Sequence, residues 1–247
     1  MQGKIETLLK NKLRSNKLHF SLIDPDPSKL SLEELKKRAA LLEKWGSDVI
    51  LVGGSTNFTK ETVDSTIRAI KSVCSLPIII YPGNVAAVSE HADAILFMSL
   101  LNSRNPYWIS KAQAKAAPLI KTIGLEPISM AYLVCEPGMV VGQVGEADLI
   151  KTPQEAAAYA TAAELTGFHF VYLEAGSGAT SPVPVETVRA VRAAIKLPLI
   201  VGGGLRTPEA VRERLAAGAD IIVTGTAIEN EPEKLESIIK AVKSFQV

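Results

Sequence analysis

The sequence predicts an α/β fold in which residues 1–247 form a single (β/α)8 TIM barrel. Three observations carry this expectation. Short β-branched runs alternate with longer helical patterns eight times along the chain. No Gly/Ser/Pro-rich linker or change of composition divides it. One strand–crossover–strand stretch also echoes another later in the chain. With 247 residues, 47% of them hydrophobic, there is enough chain for one barrel-sized core.

The elements follow in order. LHFSLI (18–23) is the first strand, and Ser31 with Glu34 forms a capping box that opens a helix over 31–45. DVILVG (48–53) is the second strand, with a helix near 59–73 behind it. LPIIIY (76–81) and DAILFMS (93–99) are the third and fourth, the latter followed by a helix near 105–121. EPISMAYLV (126–134) is the fifth. Thr152-Pro153-Gln154-Glu155 then pairs an N-cap with proline at the first helical position. HFVYLEA (169–175) leads to a helix near 183–195, and LPLIVGG (197–203) leads to a second such start at Thr207-Pro208-Glu209. DIIVTG (220–225) is the eighth strand, before a helical pattern over 232–245 carried by Leu235, Ile238, Ile239, Val242 and Phe245. Most of these strands are too apolar to alternate, as parallel strands covered on both faces should be.

Residues 76–99 align with 197–226, each running from Leu-Pro through a strand and a crossover to Ala-Asp and the next strand. Pro77 to Asp93 spans 16 positions, whereas Pro198 to Asp220 spans 22. The deficit falls in the crossover, so the third helix should be short or irregular. A gap there would open the barrel wall.

Composition excludes several classes. The chain has 27 Lys+Arg against 26 Asp+Glu, a net charge of +1, which argues against general attraction to nucleic acid or anionic membrane. Cys74 and Cys135 are the only thiols and read as small core residues rather than nucleophiles or a disulfide scaffold. No apolar run reaches membrane-spanning length, and the polar, basic start lacks a secretory core, so a reduced, cytoplasmic protein is expected. Lys10–Lys17 reads as a solvated helix face, with Lys17 close to the first strand. His19, His91 and His169 lack zinc-ligand spacing, and neither a Walker A motif nor GxGxxG occurs.

Chemistry in such a barrel belongs at the C-terminal ends of the strands. Gly53-Gly54, Gly176-Ser177-Gly178, Gly202-Gly203-Gly204 and Gly225-Thr226 stand at four of the eight ends. Clustered glycines let bare N–H groups approach an anion, and the last two loops are a barrel's usual phosphate seat. Asp24, stiffened by Pro25 and Pro27, is a reasonable Mg²⁺ ligand beside phosphate loops, and Ser55 could add a hydroxyl. Asp26 reads instead as a cap on the turn before Ser28. Glu174 ends an apolar strand, where a carboxylate serves as a general base or pairs with Arg206 or Lys17; Tyr172 faces the same way. The adjacent aromatics Tyr107 and Trp108 read as an exposed pair serving a subunit contact.

Six blocks in order, LHFSLIDPDPSK (18–29), SDVILVGGST (47–56), SLLNSRNPYW (99–108), YLEAGSGATSPVP (172–184), VGGGLRTPEA (201–210) and VTGTAIE (223–229), resemble the geranylgeranylglyceryl phosphate synthases, specifically their larger, archaeal-type group. These are prenyltransferases with a modified TIM barrel that make the first ether bond of archaeal-type membrane lipids. The resemblance implies Mg²⁺ at Asp24 and Ser55. It implies a glycerol 1-phosphate loop at Tyr172, Leu173, Glu174, Ala175, Gly176, Ser177 and Gly178, with further phosphate contacts at Gly203, Gly204, Gly225 and Thr226. Glu174 would hold and activate the glycerol hydroxyl, and the donor would be a prenyl diphosphate such as geranylgeranyl diphosphate. The family also implies a homo-oligomer. The prenyl chain needs an apolar trough, for which the shortened third crossover around Val85–Val88 is the expected exit, and product release could involve transient membrane contact. The competing readings are the same chemistry on a donor of different length, a phosphate-binding barrel isomerase, and a retained barrel without activity.

Overall fold

A computed structural model describes residues 3–54, 59–225 and 232–246. Strands β1 (Leu18–Ile23), β2 (Val49–Gly53), β3 (Ile78–Tyr81), β4 (Ala94–Leu100), β5 (Glu126–Val134), β6 (Phe170–Glu174), β7 (Leu199–Gly202) and β8 (Ile221–Thr224) close into one barrel in sequence order. Every pairing is parallel, and β8 returns to β1 with Ser21 opposite Thr224. Alternate residues divide between two apolar layers. Phe20, Leu51, Ile79 and Tyr172 fill the barrel interior, while Ile50, Ile80, Leu173 and Val201 meet the surrounding helices. This double coverage is why the strands read as continuous apolar runs.

The helices are α1 (Lys4–Lys12), α2 (Leu32–Trp45), α3 (Lys60–Lys71), α4 (Ala112–Ile123), α5 (Met139–Val144), α6 (Pro153–Leu165), α7 (Val185–Ala194), α8 (Pro208–Ala216) and α9 (Pro232–Lys243). The starts of α2, α6 and α8 are those the sequence marks. Ser31 and Glu34 complete a capping box on α2, and Thr152 and Thr207 cap α6 and α8 ahead of proline. The third crossover holds only a three-residue 3-10 turn, Val85–Ala87, in agreement with the shortened spacing.

Two features depart from the sequence reading. Lys10–Lys17 is not simply a solvated face: α1 stops at Lys12, Lys12 pairs with the buried Asp48 at 3.0 Å, and Lys17 pairs with Asp220 at 2.9 Å. The helix is also a plug, since Leu9 packs into the interior layer with Phe170. The segment expected as a helix near 105–121 begins with a π-helical turn, Tyr107–Lys111, before α4.

Candidate active site

The C-terminal ends of the strands open on a cleft of about 260 Å³. Its lining divides by chemistry. Asp24, Gly54, Glu174, Ser177, Gly178, Gly203, Gly204 and Gly225 come from the loops after β1, β2, β6, β7 and β8. Val85, Val88, Ile95, Phe97, Ala116 and Ile120 give an apolar flank beside the shortened crossover. Beside the short turn, the outer side chains of β4, Ile95 and Phe97, border this space.

Glu174 ends β6 and is buried, with 6% of its surface exposed. The backbone N–H of Gly176 donates to its Oε1 at 2.6 Å. Among the described residues no cation pairs with it: Lys17 is held by Asp220, and Arg206 donates to the Gly178 carbonyl at 3.1 Å. The structural ion-pair alternative is therefore ruled out. Burial pushes the Glu174 carboxyl above its ordinary range, opposed by the Gly176 N–H and the hydroxyls of Tyr172 and Tyr132. Glycine at 203 makes room for this carboxylate, because a Cβ there would lie 2.4 Å from Glu174 Oε1.

Three interior tyrosines surround this carboxylate, of which the sequence reading singled out only Tyr172. Tyr132 and Tyr172 meet edge to face with centroids 5.1 Å apart, and the Tyr81 and Tyr132 hydroxyls are 2.5 Å apart. Burial and the nearby Glu174 raise all three phenols above their usual range, so they stay protonated. Their signal was a hydroxyl at an inward position near the mouth end of β3, β5 and β6. Gly202 belongs to the same arrangement, since a Cβ there would sit 2.3 Å from the Tyr172 hydroxyl.

Asp24 follows β1 and is 7% exposed. Its Oδ1 accepts the Asp26 N–H at 3.1 Å, and its Oδ2 pairs with Lys29, a partner the sequence reading missed although it lies in the same turn. Asp26 caps the turn as expected, taking the Ser28 N–H at 2.9 Å and its hydroxyl at 2.7 Å. A Cβ on Gly54 would lie 3.1 Å from Asp24 Oδ2, so glycine there leaves space beside the carboxylate.

Gly203 and Gly204 adopt left-handed φ values of 82° and 69°, and among the described residues neither N–H has a partner. Leu173 and Ala175 point into the outer apolar layer, so their side chains do not reach the cleft. Gly176 spends its N–H on Glu174, and its Cα faces the Gly138 carbonyl across a gap that a side chain would close. Strand alternation thus turns two of these side chains away from the cleft, and Gly176 braces Glu174. Ser55 and Thr226 lie outside the described residues. The expectation of an exposed aromatic pair is corrected. Trp108 is half-buried, packs edge to face on Tyr107 at 4.9 Å and lines the cleft. Cys74 and Cys135 are buried, and burial pushes the Cys135 thiol up to about 12.

Comparison with known proteins agrees with this geometry. The family model described as PcrB family matches residues 11–245. Geranylgeranylglyceryl phosphate synthase of Thermococcus gammatolerans is 52% identical over 246 residues, covering 99% of this chain and 95% of that one. The enzyme of the same name from Thermococcus kodakarensis is 52% identical over 249 residues, covering 98% of each. The crystal structure of (S)-3-O-geranylgeranylglyceryl phosphate synthase from Thermoplasma acidophilum, in complex with its substrate sn-glycerol-1-phosphate, superposes with a TM-score of 0.93. It is 43% identical and covers 99% of this chain and 100% of that one.

Proposed function

The chain belongs to the PcrB family, and from that premise we propose that its cleft joins a prenyl diphosphate to the free primary hydroxyl of sn-glycerol 1-phosphate. It is a geranylgeranylglyceryl phosphate synthase, a prenyltransferase that makes an ether-lipid precursor. One observation carries the reading: a buried carboxylate with no cation paired to it among the described residues, Glu174, stands where glycine-lined loops meet an apolar flank.

The N–H groups of Gly203 and Gly204, which have no partner among the described residues, hold the glycerol phosphate together with Ser177, Gly178 and Gly225. The apolar flank at Val85, Val88 and Phe97 holds the prenyl chain, with geranylgeranyl diphosphate as donor. The glycerol oxygen attacks the allylic carbon, the bond from that carbon to diphosphate oxygen breaks, and the hydroxyl proton passes to Glu174. A carboxyl whose pKa is raised by burial suits a general base. The protonated Tyr132 and Tyr172 hydroxyls direct its lone pairs.

The residues present fit Mg²⁺. Asp24 is a near-buried carboxylate on a cleft built for phosphates, with open space beside it at Gly54. Among the described residues no preformed cluster of three or more ligands exists, a pattern suited to an ion that takes its remaining ligands from diphosphate and water. Asp24 would hold the ion, with Ser55 as a second ligand; when bound it would neutralise charge on the departing diphosphate. No described helix is long and apolar enough to cross a membrane. The reading assigns a single cytoplasmic barrel domain, working as a homo-oligomer, to this reaction.

The test is direct. Incubation with Mg²⁺, sn-glycerol 1-phosphate and prenyl diphosphates of several lengths should give one ether product with released diphosphate. No ether product with any donor overturns the reading.

A further inference from the structure

Outside the cleft, one buried titratable group has no part in the chemistry above. His19 points from β1 into the outer layer, beneath α9, and is fully buried. Its neighbours in that layer are apolar apart from a closed polar cluster of Ser21, Ser47, Asp48 and Thr224, all at most 5% exposed. Such a cluster is costly in a barrel wall unless every member is paired. Here the pairing is complete for the imidazole, with Nδ1 3.1 Å from Ser47 Oγ and Nε2 2.9 Å from Thr224 Oγ1. The frame around it is also fixed. Asp48 Oδ2 accepts the His19 backbone N–H at 3.0 Å, and Lys12 and Lys243 close on the same carboxylate at 3.0 and 2.8 Å.

The proton positions follow from counting donors. Ser47 Oγ lies 3.2 Å from the His19 carbonyl and 3.3 Å from the Val49 carbonyl, acceptors that claim its single proton, and 3.1 Å from Ser21 Oγ, which has a proton of its own to donate. Ser47 then accepts from His19 Nδ1–H, which leaves Nε2 to accept from the Thr224 hydroxyl. Burial holds the imidazole neutral, with its pKa pushed down to about 3, so this tautomer persists across the physiological range.

Thr224 is the last residue of β8, and Gly225 follows it directly into the cleft. We propose that His19 is a positioning residue: by accepting the Thr224 hydroxyl across the β1–β8 seam, it fixes the strand end from which Gly225 presents its backbone to the glycerol phosphate. The proposal rests on the functional reading above and adds to it a residue that touches neither substrate. Its counterpart on the inner face of β1 is Leu22, whose Cδ2 would lie 3.4 Å from a Cβ on Gly225, so that both faces of β1 border the end of β8.

The test uses two substitutions at His19 that differ in reach. Gln can return an acceptor near the Nε2 position, whereas Asn reaches only the Nδ1 position. His19→Asn and Thr224→Val should raise KM for glycerol 1-phosphate about ten-fold, the order of one hydrogen bond. KM for the prenyl diphosphate and kcat should stay within about two-fold. His19→Gln should restore most of the loss, and the double variant His19→Asn/Thr224→Val should be no worse than either single one. A general structural role would instead lower kcat and raise both KM values together, and that outcome overturns the proposal, as does an unchanged KM for glycerol 1-phosphate. If His19→Asn does not fold, the nearly isosteric Thr224→Val decides by the same criterion. Wild-type protein measured alongside separates the two levels: no turnover by the wild type sinks the functional reading, whereas normal turnover with unaffected variants sinks only this inference.

Discussion

Glu174 is a single buried residue whose charge costs stability. Its carboxyl is buried, carries no cationic partner among the described residues, and has a pKa raised by desolvation above the ordinary 4.5. A group whose folded pKa is raised lends stability that is full below the unfolded pKa and lost as pH rises through the folded one. Glu174→Gln should therefore raise Tm when compared with the wild type at about pH 8, and the advantage should vanish near about pH 4. The same substitution should lower kcat by about 100-fold to 10,000-fold, since the proton acceptor is gone while the Gly176 N–H still has an oxygen to meet. Thermal scans and turnover at the two pH values check both halves. Gly203→Ala tests the neighbouring position, where φ of +82° and a Cβ 2.4 Å from Glu174 Oε1 leave no room. It should cost about 1–3 kcal/mol of stability by denaturant titration and abolish most activity. Asp24 and Glu174 were legible because a carboxylate directly after an apolar strand stands out. Tyr81 and Tyr132 were not, because an aromatic in a strand reads as core and only the assembled barrel shows three hydroxyls meeting.

At the scale of elements, legibility followed the range of the forces involved. The starts of α2, α6 and α8 depend on residues within one turn, and Ser31, Thr152 and Thr207 announced them. The short third crossover was readable because a deleted helix changes a spacing. The start of α1 was not readable, because its cap lies 120 residues away. Glu126, opening β5, accepts the Ile5 N–H at 2.9 Å and the Glu6 N–H at 2.8 Å, a carboxylate placed on the positive end of the helix. Glu126→Ala should cost about 1–2 kcal/mol in urea unfolding. It should leave kcat unchanged, because α1 closes the end of the barrel opposite the cleft. The π turn at Tyr107–Lys111 was equally hidden: its register serves tertiary needs, with Ser99 Oγ donating to the Ile109 carbonyl at 2.6 Å. Trp108 was consequently turned into the cleft, where sequence alone suggested the surface. Replacing Val85 by Trp at the opposite flank should shorten the longest donor accepted, as competition between prenyl diphosphates would show; unchanged preference would place the chain elsewhere.

Across the whole molecule, the balance of 27 Lys+Arg against 26 Asp+Glu conceals a cleft suited to strongly anionic ligands. On the proposed reading its potential would come from groups that a residue count omits, namely the backbone N–H groups of Gly203 and Gly204 and a cation held by Asp24. Among the described residues, Lys29, which already pairs with Asp24, is the one side-chain cation on the lining. This division of labour separates the two substrates. On the proposed reading, the phosphate of glycerol 1-phosphate is held chiefly by backbone donors, whereas departure of diphosphate draws on the metal. Removing divalent ions with a chelator should thus abolish ether formation and leave calorimetric binding of glycerol 1-phosphate within about three-fold, and Asp24→Asn should do the same with Mg²⁺ present. Salt supplies an independent check. Sheltered dipoles are screened much less than exposed lysines and arginines, so raising ionic strength from about 0.05 M to about 0.5 M should weaken that binding by less than about three-fold. A steep salt dependence would instead assign the phosphate to side-chain cations and count against the glycine loops as its seat.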